Sequence, residues 1–91
     1  NITEGLQKKF GKERVFDFPI SENALIGAGV GAAIMGMRPI AELQYADFLI
    51  TAGDEIFFKA GMWRFMHGGA FKVPLVVRLP SGCTSAGPEH S

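Results

Sequence analysis

Glu22 is the side chain whose type and setting most clearly suit chemistry. It follows the turn Asp17-Phe18-Pro19-Ile20-Ser21 and heads the longest uncharged run in the chain, the 15 residues Asn23 to Met37. That run is small and apolar, with glycines at 27, 29, 31 and 36. A lone carboxylate at the mouth of a tightly packing helix is costly unless something uses it. Burial there would raise its pKa, and a bound ligand would exchange a hydrogen bond with it. Phe48, beside Asp47, is either core or an aromatic face on which a planar ligand stacks. His90, in Gly87-Pro88-Glu89-His90-Ser91, reads by itself as a solvated loop histidine; a place among ligand-facing loops would make it an acid–base group. His67 precedes Gly68-Gly69 at an expected helix end, where a cation is favourable, so its reading is structural. Cys83 has no histidine or acid placed near it in sequence as a nucleophile's partner and reads as an inert small residue. No metal-ligand cluster and no P-loop stands in the sequence.

The totals narrow the classes. The chain has 91 residues, enough for about one small domain, and 47% of them are hydrophobic. Nine basic and nine acidic residues cancel, which removes the electrostatic case for nucleic acid or an anionic membrane. One cysteine excludes an internal disulfide and makes a reducing compartment the default. A membrane span needs about 20 apolar residues, so the shorter uncharged run reads as a buried helix.

The elements that must position these residues follow from spacing. Thr3 caps a short helix through Phe10, which Gly11 ends. Arg14 to Asp17 reads as a strand closed by Pro19. Ser21 caps a helix from Glu22 to about Met35, with Gly36 as the stop. Ile40 to Gln44 is a strand. Ala46 to about Met66 is a long helix with Leu49, Ala52, Ile56, Ala60 and Trp63 on one apolar stripe and Glu55 paired with Lys59. Gly68-Gly69 ends it. Val73 to Leu79 is a nearly continuous apolar strand, as expected when both faces are covered. Strands alternating with helices predict a three-layer α/β fold on a parallel sheet. Ligands on such sheets sit beyond the carboxyl ends of the strands, here Phe18 to Glu22, Gln44 to Phe48 and Pro80 to His90. Three strands make a small sheet, so the chain reads as an incomplete piece of one domain, with no second domain. The G-x-G-x-x-A match at Gly27 to Ala32 lies inside the helix, not in a strand-to-helix turn, and so reads as packing. Gly27 and Gly31 face one way and predict a close neighbour, such as a partner helix. The four methionines read as core or interface filler.

The motifs together resemble a known family. Arg14-Val-Phe-Asp-Phe-Pro-Ile-Ser-Glu22 is similar to the RVxDTPISE signature of the beta subunit of thiamine-diphosphate-dependent 2-oxo acid dehydrogenases, the pyruvate, branched-chain and acetoin type. Glu22 followed by Gly27-Ala28-Gly29-Val30-Gly31-Ala32 resembles the wider E-x4-G-Φ-x-x-G-Φ pattern of thiamine-diphosphate enzymes. Met37 to Glu42 resembles GxRPVxE, and Gly68-Gly69 with Val73 to Arg78 resembles SGG…VPVVIR. The GPEHS ending resembles both that family's HS(Q) and the GPTHQ of transketolases. Phe18 departs from the family's threonine.

The resemblance implies the transketolase-like pyrimidine-binding domain, of which residues 1–91 are a part. It implies oxidative decarboxylation of a 2-oxo acid with acyl transfer to lipoyl, and a 91-residue piece that is inactive alone. Glu22 would bond the aminopyrimidine ring nitrogen, Phe48 would stack on that ring, and Ile20 and Gln44 would line it. His90 would stand near the reacting carbon, and the Leu75 carbonyl would join a potassium site. The implied cofactor is thiamine diphosphate shared with an alpha subunit that also holds magnesium. The implied partners are that alpha subunit, a second beta subunit at Gly27 and Gly31, and a lipoyl-bearing acyltransferase. The implied compartment is the bacterial cytoplasm, the mitochondrial matrix or a plastid. The alternatives are a transketolase or deoxyxylulose-phosphate synthase relative, and a non-catalytic scaffold.

Overall fold

The computed structural model describes residues 2–82. Helix α1 spans Leu6–Phe10, helix α2 Glu22–Ile34, strand β1 Ile40–Glu42 and strand β2 Val76–Arg78. From Ala46 to Met66 the chain is helical but changes its winding. Ala46–Ala52 is a 3-10 helix, Asp54–Ala60 a π-helix and Gly61–Met66 an α-helix, α3. The two strands pair in parallel, with Ile40 opposite Val76, Ala41 opposite Val77 and Glu42 opposite Arg78. The parallel α/β expectation therefore holds.

Both glycine stops act as expected. After α2, Gly36 takes φ +101°; its N–H bonds the Ala33 carbonyl and the Met37 N–H bonds Ala32. After α3, Gly68 and Gly69 also take positive φ; the Gly68 N–H bonds Phe65 and the Gly69 N–H bonds Arg64 at 2.7 Å. Both are Schellman closures, which capture carbonyls that the helix leaves open. Gly36→Ala is expected to cost about 1 kcal/mol, because a Cβ there meets open space and only the left-handed backbone is strained. Urea unfolding measures that loss.

The helix starts differ from expectation. Gly5, not Thr3, is the N-cap of α1, at φ 83°. Ser21 does stand at the N-cap of α2, but its side chain makes no capping bond; its backbone carbonyl accepts from the Leu25 N–H at 2.9 Å. The expected strand at Arg14 to Asp17 does not form. The sheet of the described residues offers it no neighbour, and the Arg14 and Val15 N–H groups instead turn back onto the Gly11 carbonyl. The Gln7 side-chain amide donates to the Val15 carbonyl at 2.9 Å and holds this turn against α1.

The core is made by α2, β1 and the 3-10 segment. Ile26 and Val30, Ala41 and Leu43, and Ala52 are its buried members, with Leu49, Ile56 and Ala60 packed around them. Ile26 is 0% exposed and Leu43 1%; burying a side chain of that size stabilises by about 1.5–3 kcal/mol. β1 alternates exposed, buried, exposed. Ile40 at 70% and Val76 at 55% exposure therefore leave the opposite face of the sheet open, where covering on both faces was expected. All four methionines are also exposed, which rules out the core half of their reading as core or interface filler.

The π winding changes one surface pair. Lys59 Nζ bonds Asp54 Oδ2 at 3.1 Å in place of the expected Glu55. An i→i+5 helix brings residues five apart to one face, whereas the α-helix favours four. Glu55 turns instead toward α2, its carboxyl carbon 3.4 Å from where a Cβ on Gly27 would lie. On β1 and β2, Arg78 Nη1 meets Glu42 Oε2 at 2.7 Å and ties the register at an exposed position.

Candidate functional site

Gln44 lies two residues beyond β1, and Tyr45 leads into the 3-10 turn that carries Phe48. The Ala46 N–H bonds the Pro80 carbonyl at 2.9 Å, and the Leu43 N–H bonds the Arg78 carbonyl at 2.9 Å. Two of the three segments expected at the carboxyl edge, after β1 and after β2, are thus joined through their backbones. Phe48 is half-buried, and its ring and that of Tyr45 form a T-shaped pair at 6.0 Å between centroids and 87° between planes. Gln44 is exposed.

Glu22 is the first residue of α2, a helix that packs on both the 3-10 segment and β1. Its side chain is partly exposed rather than buried. Among the described residues its carboxylate has no hydrogen-bond or ion-pair partner, and its only evident use in the fold is as an anion in the first turn of α2. Ile20, two residues earlier, is 84% exposed. Leu75 stands apart from this group. It precedes β2 and so lies at the amino edge of the sheet, its side chain packed on the core beside Gly29. His90 and Cys83 lie outside the described residues.

His67 keeps its structural reading. It is the C-cap of α3, its Nδ1–H donates to the Trp63 carbonyl at 2.9 Å, and its ring stacks on Trp63 at 4.2 Å. The carbonyl partner fixes the proton on Nδ1. Tyr45 was not singled out from the sequence. The available signal was an aromatic residue three before Phe48, which matters only once the extended Tyr45 is seen to lead directly into the turn that carries Phe48.

The glycine positions sort themselves by what they meet. A Cβ on Gly29 would lie 2.9 Å from Leu75 Cδ1 and 3.6 Å from Ala41 Cβ, while Gly31 meets nothing within 4 Å. Close approach of helix and sheet is therefore made at Gly29, while Gly27 has the Glu55 side chain 3.4 Å from its Cβ position. The packing reading of the glycine run holds, with the sheet of the same chain as the neighbour.

The model of the transketolase pyrimidine-binding domain matches residues 1–91. The chain belongs to the transketolase pyrimidine-binding domain family. Among its relatives in that family, the 2-oxoisovalerate dehydrogenase subunit beta of Pseudomonas aeruginosa is 50% identical over 80 residues, 88% of this chain and 23% of that protein. The pyruvate dehydrogenase E1 component subunit beta of Mycoplasma genitalium is 48% identical over 88 residues, 97% of this chain and 27% of that protein. The pyruvate dehydrogenase E1 component subunit beta-3, chloroplastic, of Oryza sativa is 46% identical over 91 residues. This pyrimidine-binding domain chain spans about a quarter of the length of the curated relatives it matches.

Proposed function

We propose that the chain is the pyrimidine-holding part of a 2-oxo acid dehydrogenase beta subunit, acting on pyruvate or a branched-chain 2-oxo acid. What supports this reading is a set of four residues that the topology sends toward the carboxyl edge: a carboxylate on Glu22 with no partner among the described residues, an exposed amide on Gln44, an exposed apolar side chain on Ile20 and an aromatic ring at Phe48 held by a neighbour. An aminopyrimidine needs a carboxylate for its ring nitrogen, an apolar or aromatic surface for its face and polar groups at its rim. The residues present fit those needs. The names of the relatives support the same class.

Thiamine diphosphate, when bound, supplies the electron sink for decarboxylation. The chain's own residues do the rest of what is proposed here. Glu22 holds a proton at the pyrimidine ring nitrogen. Phe48 and Ile20 fix the plane of that ring and keep water from its face. His90, from the GPEHS motif, positions substrate or delivers a proton. The diphosphate and its magnesium belong to an alpha subunit, and the acyl group passes to a lipoyl-bearing acyltransferase. Gly31, which faces open space, is where a second beta subunit approaches in a heterotetramer. In the complete domain the open face at Ile40 and Val76 is covered, giving the three-layer arrangement. Leu75, whose carbonyl the family likeness assigns to potassium, is remote from this edge and would act structurally.

Phe48→Ala in the assembled protein is expected to raise the Kd for thiamine diphosphate by about tenfold or more, since it removes a stacked ring. Calorimetry reads the change. Unaltered affinity would remove Phe48 from the site and with it the main support for this reading. The 91-residue piece alone, lacking the diphosphate half, is expected to bind the cofactor no tighter than about millimolar.

A further inference from the structure

We propose that residues 46–60 are a two-state switch, which converts between the present 3-10 and π windings and one continuous α-helix. Its coupling to a ligand rests on the carboxyl edge being where the pyrimidine sits; the switch itself does not. The ends of the segment allow the conversion. A 3-10 helix turns about 120° per residue and an α-helix about 100°. The π half, closed by the Gly61 N–H on the Ile56 carbonyl five residues back, turns less than an α-helix and returns the excess. Each half holds seven residues, so rewinding rotates the middle while β1 and α3 stay in place. In the present winding Ala46, Leu49 and Ala52 eclipse, on the side where Leu49 and Ala52 meet the core. Ile50 lies about 120° from that line and is 84% exposed. Four α-helical steps from Ala46 bring it to about 40° from the same line. An α winding thus turns Ile50 toward the core and the small Ala52 away. Burial of the larger side chain favours it, and the room that isoleucine needs against α2 opposes it. The charges also change partners. Lys59 bonds Asp54, five residues back, at 3.1 Å. Four residues back, where an α-helix would pair it, stands Glu55, now against Gly27. Each winding has its own ion pair, and a surface pair is too weak to lock either.

The Ala46 N–H is tied to the Pro80 carbonyl, so the rotation is counted from the carboxyl edge. Phe48, two residues on, turns by about 40° in the conversion. A ligand at this edge meets a different surface in each winding and shifts their populations by that difference. Methyl relaxation dispersion on the assembled protein, with only this chain's isoleucines labelled, reads exchange on the microsecond-to-millisecond scale of such motions. Ile50 and Ile56 are expected to exchange together, with one rate and one minor population. Asp54→Asn is expected to raise the α population about two- to fivefold and Glu55→Gln to lower it by as much, although each removes one carboxylate. Ile50→Ser, at a site exposed in the present winding, is expected to lower it about tenfold or more, read at Ile56. Saturating thiamine diphosphate is expected to move the populations by at least about twofold. Flat dispersion at both methyls, or equal responses to Asp54→Asn and Glu55→Gln, overturns the switch. Exchange that thiamine diphosphate leaves unchanged, in a protein whose Phe48→Ala variant binds the cofactor weakly, overturns the coupling to the ligand. Wild-type affinity in Phe48→Ala overturns the reading of the edge, and the methyl exchange still decides the switch.

Discussion

Glu22→Gln lowers turnover of the cofactor-saturated holoenzyme by at least about a hundredfold and costs its folded state no more than about 1 kcal/mol. The two halves of this expectation have separate physical grounds. Stability is spared because the carboxylate has no partner among the described residues and is partly exposed. The α2 start is held by the Ser21 carbonyl, which the substitution does not touch. The only loss is an anion near the helix N-terminus, about 0.3–1 kcal/mol. Turnover suffers because an amide occupies the same volume but cannot share a proton with a ring nitrogen. Each tenfold is about 1.4 kcal/mol of barrier, so a hundredfold is about the worth of one well-placed proton-sharing group. Steady-state assays at saturating thiamine diphosphate read the effect, and near-normal turnover would sink the assignment. Glu22→Asp retains the charge but withdraws it along the side chain, and an intermediate loss is expected from the poorer placement.

Gly29→Val is expected to destabilise the fold by about 3 kcal/mol, the upper part of the range for overpacking a core. The first added carbon already falls 2.9 Å from Leu75 Cδ1, and the two further methyl carbons have Ala41 and Leu75 on the side where α2 meets the sheet. Either α2 lifts off the sheet or Leu75 leaves its rotamer. Gly31→Ala supplies the contrast. Its Cβ meets nothing within 4 Å, so in this chain by itself the substitution gains up to about 1 kcal/mol of helix propensity. Denaturant unfolding of the two variants separates the positions. A Gly29→Val protein as stable as wild type would mean that helix and sheet do not touch there. A Gly31→Ala protein that is stable but fails to assemble would identify Gly31 as the place where a second subunit approaches.

Local signals in the sequence carried most of the helical architecture. Ser21 and Gly36 bracket α2, and Gly68-Gly69 ends α3, because caps act within a few residues of where they stand. The strands were overdrawn, β1 from Ile40–Glu42 to Gln44 and β2 from Val76–Arg78 to Val73 through Leu79. A strand exists only over the length its neighbour matches, and that length is not written in either segment. Arg14 to Asp17 is the extreme case, apt in composition but without a partner. The apolar stripe from Leu49 to Trp63 was read with an α-helical period, although the segment is wound otherwise. It survived because an overwound 3-10 stretch of seven residues is followed by an underwound π stretch of seven, and the two phase errors oppose each other. The swap of Glu55 for Asp54 beside Lys59 is where the local error shows. At the candidate site, Gln44 and Phe48 were legible as residues just past a strand. Tyr45 was not, since its contact with Phe48 depends on how an extended residue leads into the turn. Gly29, which meets the sheet, was passed over in favour of Gly27 and Gly31, because spacing alone does not say which side of a helix meets the sheet; Gly27 has Glu55 of the π-helix beside it.

The uncovered side of the sheet has a kinetic meaning. Ile40 and Val76, with the outward methionines, present an adhesive surface for as long as nothing lies over them. On the proposed reading the cover is the rest of the same domain, so its docking is first order, whereas clumping with like chains requires collision and is second order. Raising the concentration speeds only the clumping. Recovery of soluble protein should therefore fall as the concentration of chain during synthesis rises, whatever the intrinsic stability of the helices.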